Sequence, residues 1–184
     1  MNSFYNEEEL KEIGLKRVGQ NVKISKKASI YSPEEIEIGD NVRIDDFALL
    51  SGSIVIGNNV HISTYAALFS CEKIIEIKDY VGVSSRVTIY SQTDDYSGDS
   101  LTNPTIPEEY KNVIKKEVVL GKHVIIGSSS VILPGASIGE GTAVGAMSLV
   151  NKPLEEWSIY AGIPCKKIKD RSKKLLEYEK ELNK

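Results

Sequence analysis

Between Ile89 and Leu120 the chain carries a segment whose residue types suit the recognition of a polar ligand. Tyr90, Asp94, Asp95, Tyr96, Asp99 and Tyr110 fall within it, together with Pro104 and Pro107. Carboxylates attract cations and accept hydrogen bonds from hydroxyls, and tyrosine offers both a flat apolar face and a hydroxyl. Three tyrosines and two prolines are a poor composition for disorder, so the segment is expected to be a folded loop built for binding. Packing or turn roles for the same residues stay open, and Asp-Asp pairs often cap their own loop through an Asx turn. Other chemistry is thinly provided. The two histidines, His61 and His123, fall in unrelated stretches at positions read as outward-facing surface. The two cysteines, Cys71 and Cys165, have neither pairing nor metal-ligand spacing and read as reduced packing residues. No metal site is expected.

What must position that loop is a scaffold with an unusual period. From Leu120 an aliphatic residue recurs every sixth position, at Ile126, Ile132, Ile138, Val144 and Val150. Gly121, Gly127, Gly139 and Gly145 follow four of these aliphatics. Four residues after each aliphatic comes Val124, Ser130, Ala136, Thr142 or Ser148, all small or β-branched. A helix would repeat every ~3.6 residues and a simple strand every ~2, so a period of six indicates a solenoid. Three hexads close one triangular coil, and coils stack at about 4.8 Å. Each aliphatic then rests on the one eighteen residues away. No coil buries its face alone, so several must stack.

The same rhythm runs back to Val18, with a corner insertion at Ser32–Glu35 and a bulge expected near Phe69 to Lys73. It stops after Ile89 and resumes at Leu120. The expected organisation is an N-terminal helical cap over 1–17, a β-helix domain over 18–169 with a loop insertion at 90–117, and a C-terminal helix over 170–184. Ser3 or Asn6 can cap the first helix and Gly14 can stop it. Asp170 or Ser172 can cap the last, which reads as exposed and amphipathic. The net charge of −3 and the interspersed basic residues give no sign of nucleic-acid binding. Met1–Glu12 has no apolar run for secretion, and nothing approaches the ~20 apolar residues of a membrane span, so a cytoplasmic protein is expected.

On these hexads the chain resembles the hexapeptide-repeat acyltransferases. It is most similar to the branch holding galactoside and maltose acetyltransferases and the acyltransferases of nucleotide-sugar pathways, over Val18 to Lys169. The resemblance implies an all-β, left-handed parallel β-helix, against the general right-handed preference of β-crossovers. It also implies a homotrimer with active sites between subunits, and acyl-CoA (acetyl-CoA) as co-substrate with no tightly bound cofactor. Ser84 would lie near the thioester, with Gly127, Ser128 and Ala146 along the pantetheine arm. Lys152, Lys166 and Lys169 would meet the nucleotide phosphates, a role that solvated surface lysines share by default.

In the relatives so resembled, a histidine follows the strand matching Val87-Thr88-Ile89. Here that position is Asp94. A carboxylate with a pKa near ~4 is badly matched to a hydroxyl near ~15 but suffices for an amine, which is partly neutral at pH 7. The aspartate therefore favours N-acylation of an amino sugar, nucleotide-linked as in the pathways resembled, with Asp94 as base or orienter. Tyr65, Tyr90 and Tyr96 would stack on sugar or base, and Asp95 and Asp99 would bond hydroxyls. The alternatives are O-acetylation of a sugar hydroxyl in polysaccharide synthesis, and a non-catalytic β-solenoid. A zinc hydratase on the same solenoid would need three histidines.

Overall fold

The computed structural model describes residues 3–183; Met1, Asn2 and Lys184 lie outside that description, and with them the ends of the two expected terminal helices. The hexads wind into a parallel β-solenoid of about seven turns, as in a left-handed β-helix, and the fold is mostly β with few helices. Three faces run its length. Register fixes the core directly. On the first face Ile38, Ile56, Ile77, Leu120, Ile138 and Leu154 stack in order. On the second the column is Ile24, Ile44, Ile62, Val83, Ile126, Val144 and Tyr160. On the third it is Ile30, Leu50, Leu68, Ile89, Ile132 and Val150. Nearly all of these are fully buried. Each contributes about 1.5–3 kcal/mol, so stability is spread along the columns. The small residues four places on (Val124, Ser130, Ala136, Thr142 and Ser148) are buried too, filling the interior between the aliphatic columns.

Corners between faces turn through left-handed backbone. Asn21, Asn41, Asn59, Tyr80, His123, Gly141 and Trp157 form one such column, and Phe47, Tyr65, Arg86, Ser129 and Met147 another. Asparagine suits this conformation because its short side chain bonds locally, and Asn21 donates to Asn41 across coils at 2.8 Å. Departures from the period are absorbed at corners. Pro33–Glu35 makes a short 3-10 turn, and Ser70 Oγ donates to Lys73 O where the coil from Ile56 to Ile77 gains three residues.

Helix α1 (Glu7–Glu12) is capped by Asn6 in a reciprocal box with Glu9, and its Leu10 closes the first coil. At the other end Ser158–Gly162 and Cys165–Asp170 form an antiparallel hairpin on the second face. Helix α2 (Leu175–Leu182) follows, and here two expectations need correction. Neither Asp170 nor Ser172 occupies the cap position: Lys174 does, without a side-chain bond, while Ser172 Oγ accepts from Lys174 N just outside the helix. Nor does the helix stand free, because Glu179 reaches Lys122 and His123, and Asn183 accepts from the Tyr80 hydroxyl. His123 is accordingly not a surface residue. It is 7% exposed, stacked on Tyr80 at 5.0 Å and covered by α2. The hexad period gives its direction away from the solenoid axis, but not the helix that comes back over it. His61 is exposed as expected and bonds Asp45 at 2.7 Å.

Candidate functional site

The loop leaves the third face after the strand Thr88–Tyr90 and returns to the first face at Val118. Its neck is an antiparallel pair, Gln92–Thr93 with Ile114–Lys115, and its tip holds a 3-10 turn at Glu108–Tyr110. Leu101 N donates to Tyr110 O at 2.9 Å, so the loop is bonded across itself. Between loop and third face lies a cleft of about 790 Å3. Phe69 and Tyr90, stacked at 5.3 Å, line the solenoid side with Val131 and Leu133. Asp94, Tyr96, Lys111 and Lys115 line the loop side.

The two adjacent aspartates divide their work. Asp95 accepts from Ser97 N at 2.8 Å, from Ser97 Oγ at 2.9 Å and from Ser100 Oγ at 3.1 Å. These bonds, those from Ser97 foremost, hold its carboxyl below the usual carboxylate range. Its acceptor capacity is thus spent on the loop, and the expected role in bonding a ligand gives way to an Asx turn. Asp94 faces the cleft half-buried, and one of its oxygens accepts from Asn103 N at 3.3 Å. Its other oxygen has no partner among the described residues, which leaves it for a ligand. Tyr96 is 92% exposed at the cleft mouth, whereas Tyr90 is half-buried in its wall.

Tyr65 is not in this cleft. It stacks on Phe47 at 4.9 Å on the corner that joins second and third faces. That corner also carries Ser84, Gly127, Ser128 and Ala146, at the edge of the third face opposite the loop. Ser84 N and Gly127 N are tied into the coil-to-coil ladder, donating to Ile126 O and Val144 O. The N–H groups of Ser85, Ser128 and Ala146 bond to nothing among the described residues and form a free column. Ser85 Oγ donates to Ser128 Oγ at 3.3 Å, and the Ser84 hydroxyl has no partner. Gly127 is glycine for a reason internal to the solenoid: a Cβ there would sit 2.4 Å from Ala146 N in the next coil. The column ends under the hairpin, where Gly162 N donates to Ser148 Oγ and Lys166 pairs with Ala161. Lys152, Lys166 and Lys169 are all exposed around that end, and Cys165 is buried, burial pushing its thiol up. One chain therefore brings Tyr90, Asp94 and Tyr96 together, and separately aligns Ser84, Ser128 and Ala146. Lys111 and Lys115 join the cleft although the sequence carries no signal for them, two lysines among many.

Among the described residues no cluster of three or more His, Cys, Asp or Glu could hold a metal, and no helix is long and apolar enough to cross a membrane.

The model of the bacterial transferase hexapeptide family (six repeats) matches residues 117–152. The chain is 48% identical to dTDP-4-amino-4,6-dideoxy-D-glucose acyltransferase of Escherichia coli, over 96% of this chain and 93% of that one. It is 32% identical to WbbJ of E. coli K12, a protein named for O-acetyl transfer in lipopolysaccharide biosynthesis, over 83% of this chain and 77% of that one. AntD, an N-acyltransferase from Bacillus cereus crystallised with dTDP and 3-hydroxybutyryl-CoA, superimposes with a TM-score of 0.98 at 55% identity, covering 100% of this chain and 97% of that one. Other AntD crystals carry substitutions of one aspartate or one serine and hold coenzyme A with dTDP or dTDP-4-amino-4,6-dideoxyglucose. Identity of this order extends from end to end, well beyond the repeat, and the chain belongs to the hexapeptide-repeat transferases as an acyltransferase.

Proposed function

We propose that this enzyme transfers an acyl group from acyl-CoA to the amine of a nucleotide-linked amino sugar. The observation that carries the reading is the free Asp94 oxygen on the cleft wall, beside an Asp95 already consumed by its own turn. The names of the E. coli relative and of AntD, with their dTDP-linked amino sugar and coenzyme A, support the same substrate class.

In this mechanism the acceptor ammonium is drawn to Asp94 and loses its surplus proton to that carboxylate. The amine lone pair then attacks the thioester carbon. Negative charge that develops on the thioester oxygen meets the unpaired N–H groups of the Ser128–Ala146 column, a placement in which preorganised donors are most effective. The Ser84 hydroxyl, also unpartnered, orients the thioester. The C–N bond forms, and the attacking nitrogen gives up a second proton as the C–S bond breaks. Coenzyme A leaves as a thiolate that takes up that second proton, while the first passes from Asp94 to solvent. Lys152, Lys166 and Lys169, at the hairpin end of that column, would receive the donor's phosphates.

The loop cleft and the donor column lie at opposite edges of the third face, so one subunit's cleft meets a neighbour's column only when copies stand side by side. A homotrimer with three such junctions is part of the proposal, as is a cytoplasmic setting where acyl-CoA is available. Tyr65 then belongs to the donor side, and Tyr90 and Tyr96 to the acceptor. Gly127 serves the column by letting coils approach. The test is product analysis with paired amino and hydroxy forms of one nucleotide sugar: amide from the amino form supports the reading. Ester from the hydroxy form at a comparable rate favours the O-transfer for which WbbJ is named and overturns it.

A further inference from the structure

The cleft contains two lysines whose partners are both surface glutamates. Lys111 has a side chain only 7% exposed, and its Nζ lies 2.6 Å from Glu108 Oε1 on a side chain 81% exposed. Lys115 is 27% exposed and pairs at 2.5 Å with Glu72, itself 66% exposed. The hydrogen bond to Glu72 pushes the Lys115 pKa up from its ordinary value. An ammonium is withdrawn from water only where an anion compensates it. A solvent-exposed glutamate contributes little as such a partner, because it surrenders side-chain freedom to hold one geometry. Both carboxylates can therefore swing into solvent when a better anion arrives. The cations are fixed by the cleft and their present partners are not.

We infer that Lys111 and Lys115 form a diphosphate subsite, in which the phosphates of the acceptor's nucleoside diphosphate displace Glu108 and Glu72. The inference rests on the functional reading above and adds the residues that select a nucleotide-linked sugar over a free one. Charge arithmetic supports it. With the glutamates in place, two lysines and two glutamates cancel and Asp94 remains. With the glutamates turned out, the cleft presents two positive charges and one negative. That is the complement of an acceptor carrying two phosphate charges and one ammonium. A donor's phosphates would leave Asp94 without its counter-charge.

The experiment uses the full-length enzyme, with dTDP and coenzyme A as separate calorimetric probes and the amino sugar nucleotide in steady-state assays. Lys111→Met and Lys115→Met keep the aliphatic stems and remove the charges. Loss of each charge-assisted contact should raise the dTDP Kd and the acceptor KM by about ten- to a hundredfold, with KM rising far more than kcat falls. The coenzyme A Kd should stay unchanged, and Glu108→Gln should bind dTDP at least as well as the wild type. Should Lys111→Met fail to fold, Lys115→Glu, at the more exposed position, must show the same loss of dTDP. Variants that bind dTDP as the wild type does overturn the subsite alone. Variants that lose coenzyme A and keep dTDP assign the lysines to the donor and overturn it as well. A wild type that binds no dTDP sinks the functional reading together with the subsite, and that result is visible before any variant is made.

Discussion

Replacing Gly127 by alanine tests whether the edge that carries Ala146 is set by contact between coils. A Cβ at Gly127 would meet Ala146 N at 2.4 Å, Ala146 Cα at 2.7 Å and Gly145 C at 2.7 Å, all backbone atoms of the next coil. No side chain can rotate out of the way, so the coils must separate by roughly 1 Å to reach ordinary van der Waals contact. Overpacking of that kind costs about 1–3 kcal/mol. In a domain of this size each kcal/mol lowers Tm by about 2–4 °C, so Gly127→Ala should melt about 2–12 °C early. The shift also moves the free Ala146 N–H, and acyl-CoA KM should rise with it. Gly82→Ala is the matched control, because its Cβ would meet only Ile125 Cγ1 at 3.8 Å. Scanning calorimetry of the two variants beside the wild type decides the matter. Equal melting of Gly127→Ala and Gly82→Ala would refute the argument that close approach between coils, and not ligand access, requires glycine at 127.

Asp95→Ala removes the bonds from Ser97 and Ser100 that fold the loop and should raise acceptor KM while leaving Tm almost unchanged, as steady-state kinetics and calorimetry will report. Because the Asp95 carboxyl is held below its usual range, its contribution to loop order is present above about pH 4 and lost as pH falls through the depressed value, which hydrogen exchange in the loop will follow. Glu179→Gln weakens the hold of α2 on Lys122 and His123, and the amides of Leu175–Leu182 should exchange faster. The Lys122 contact depresses the Glu179 pKa and raises that of Lys122. The contribution of this ion pair to the docking of α2 is therefore lost as pH falls through the depressed glutamate value, below about 4.3, and as pH rises through the raised lysine value, above about 10.4.

The solenoid was legible because its physics is one-dimensional. Leu120 predicts Ile138 beneath it, and Ile132 predicts Val150, since a stacked coil offers each aliphatic only one neighbour of its own kind. Even the irregularity near Phe69 to Lys73 follows from counting, because a coil either has eighteen residues or must place the extra ones at a corner. The site was less legible, because a loop obeys no period. That Asp94 faces the cleft while Asp95 turns inward depends on Ser97 and Ser100, which bond one carboxylate and not the other. His123 departs from its expected exposure for the same reason: the hexad gives its direction, but only the return of α2 and Glu179 tells that the direction is covered. Lys111 and Lys115 became visible only once the loop closed beside Tyr90 and Asp94. Tyr65 stacks on Phe47 at the corner between the second and third faces, a placement that needs the positions of neighbouring corners and not the residue type.

In the mechanism proposed, Asp94 takes the surplus proton of the acceptor ammonium and so frees the amine for attack. The direct measurement is single-turnover acylation of dTDP-4-amino-4,6-dideoxyglucose by wild-type enzyme and by Asp94→Asn, with the product identified by mass spectrometry as amide or ester. The account predicts amide from both, formed about 10²–10⁴ times more slowly by the variant, with nucleotide binding retained. Amide formation by Asp94→Asn at the wild-type rate, or an ester as the wild-type product, would contradict it.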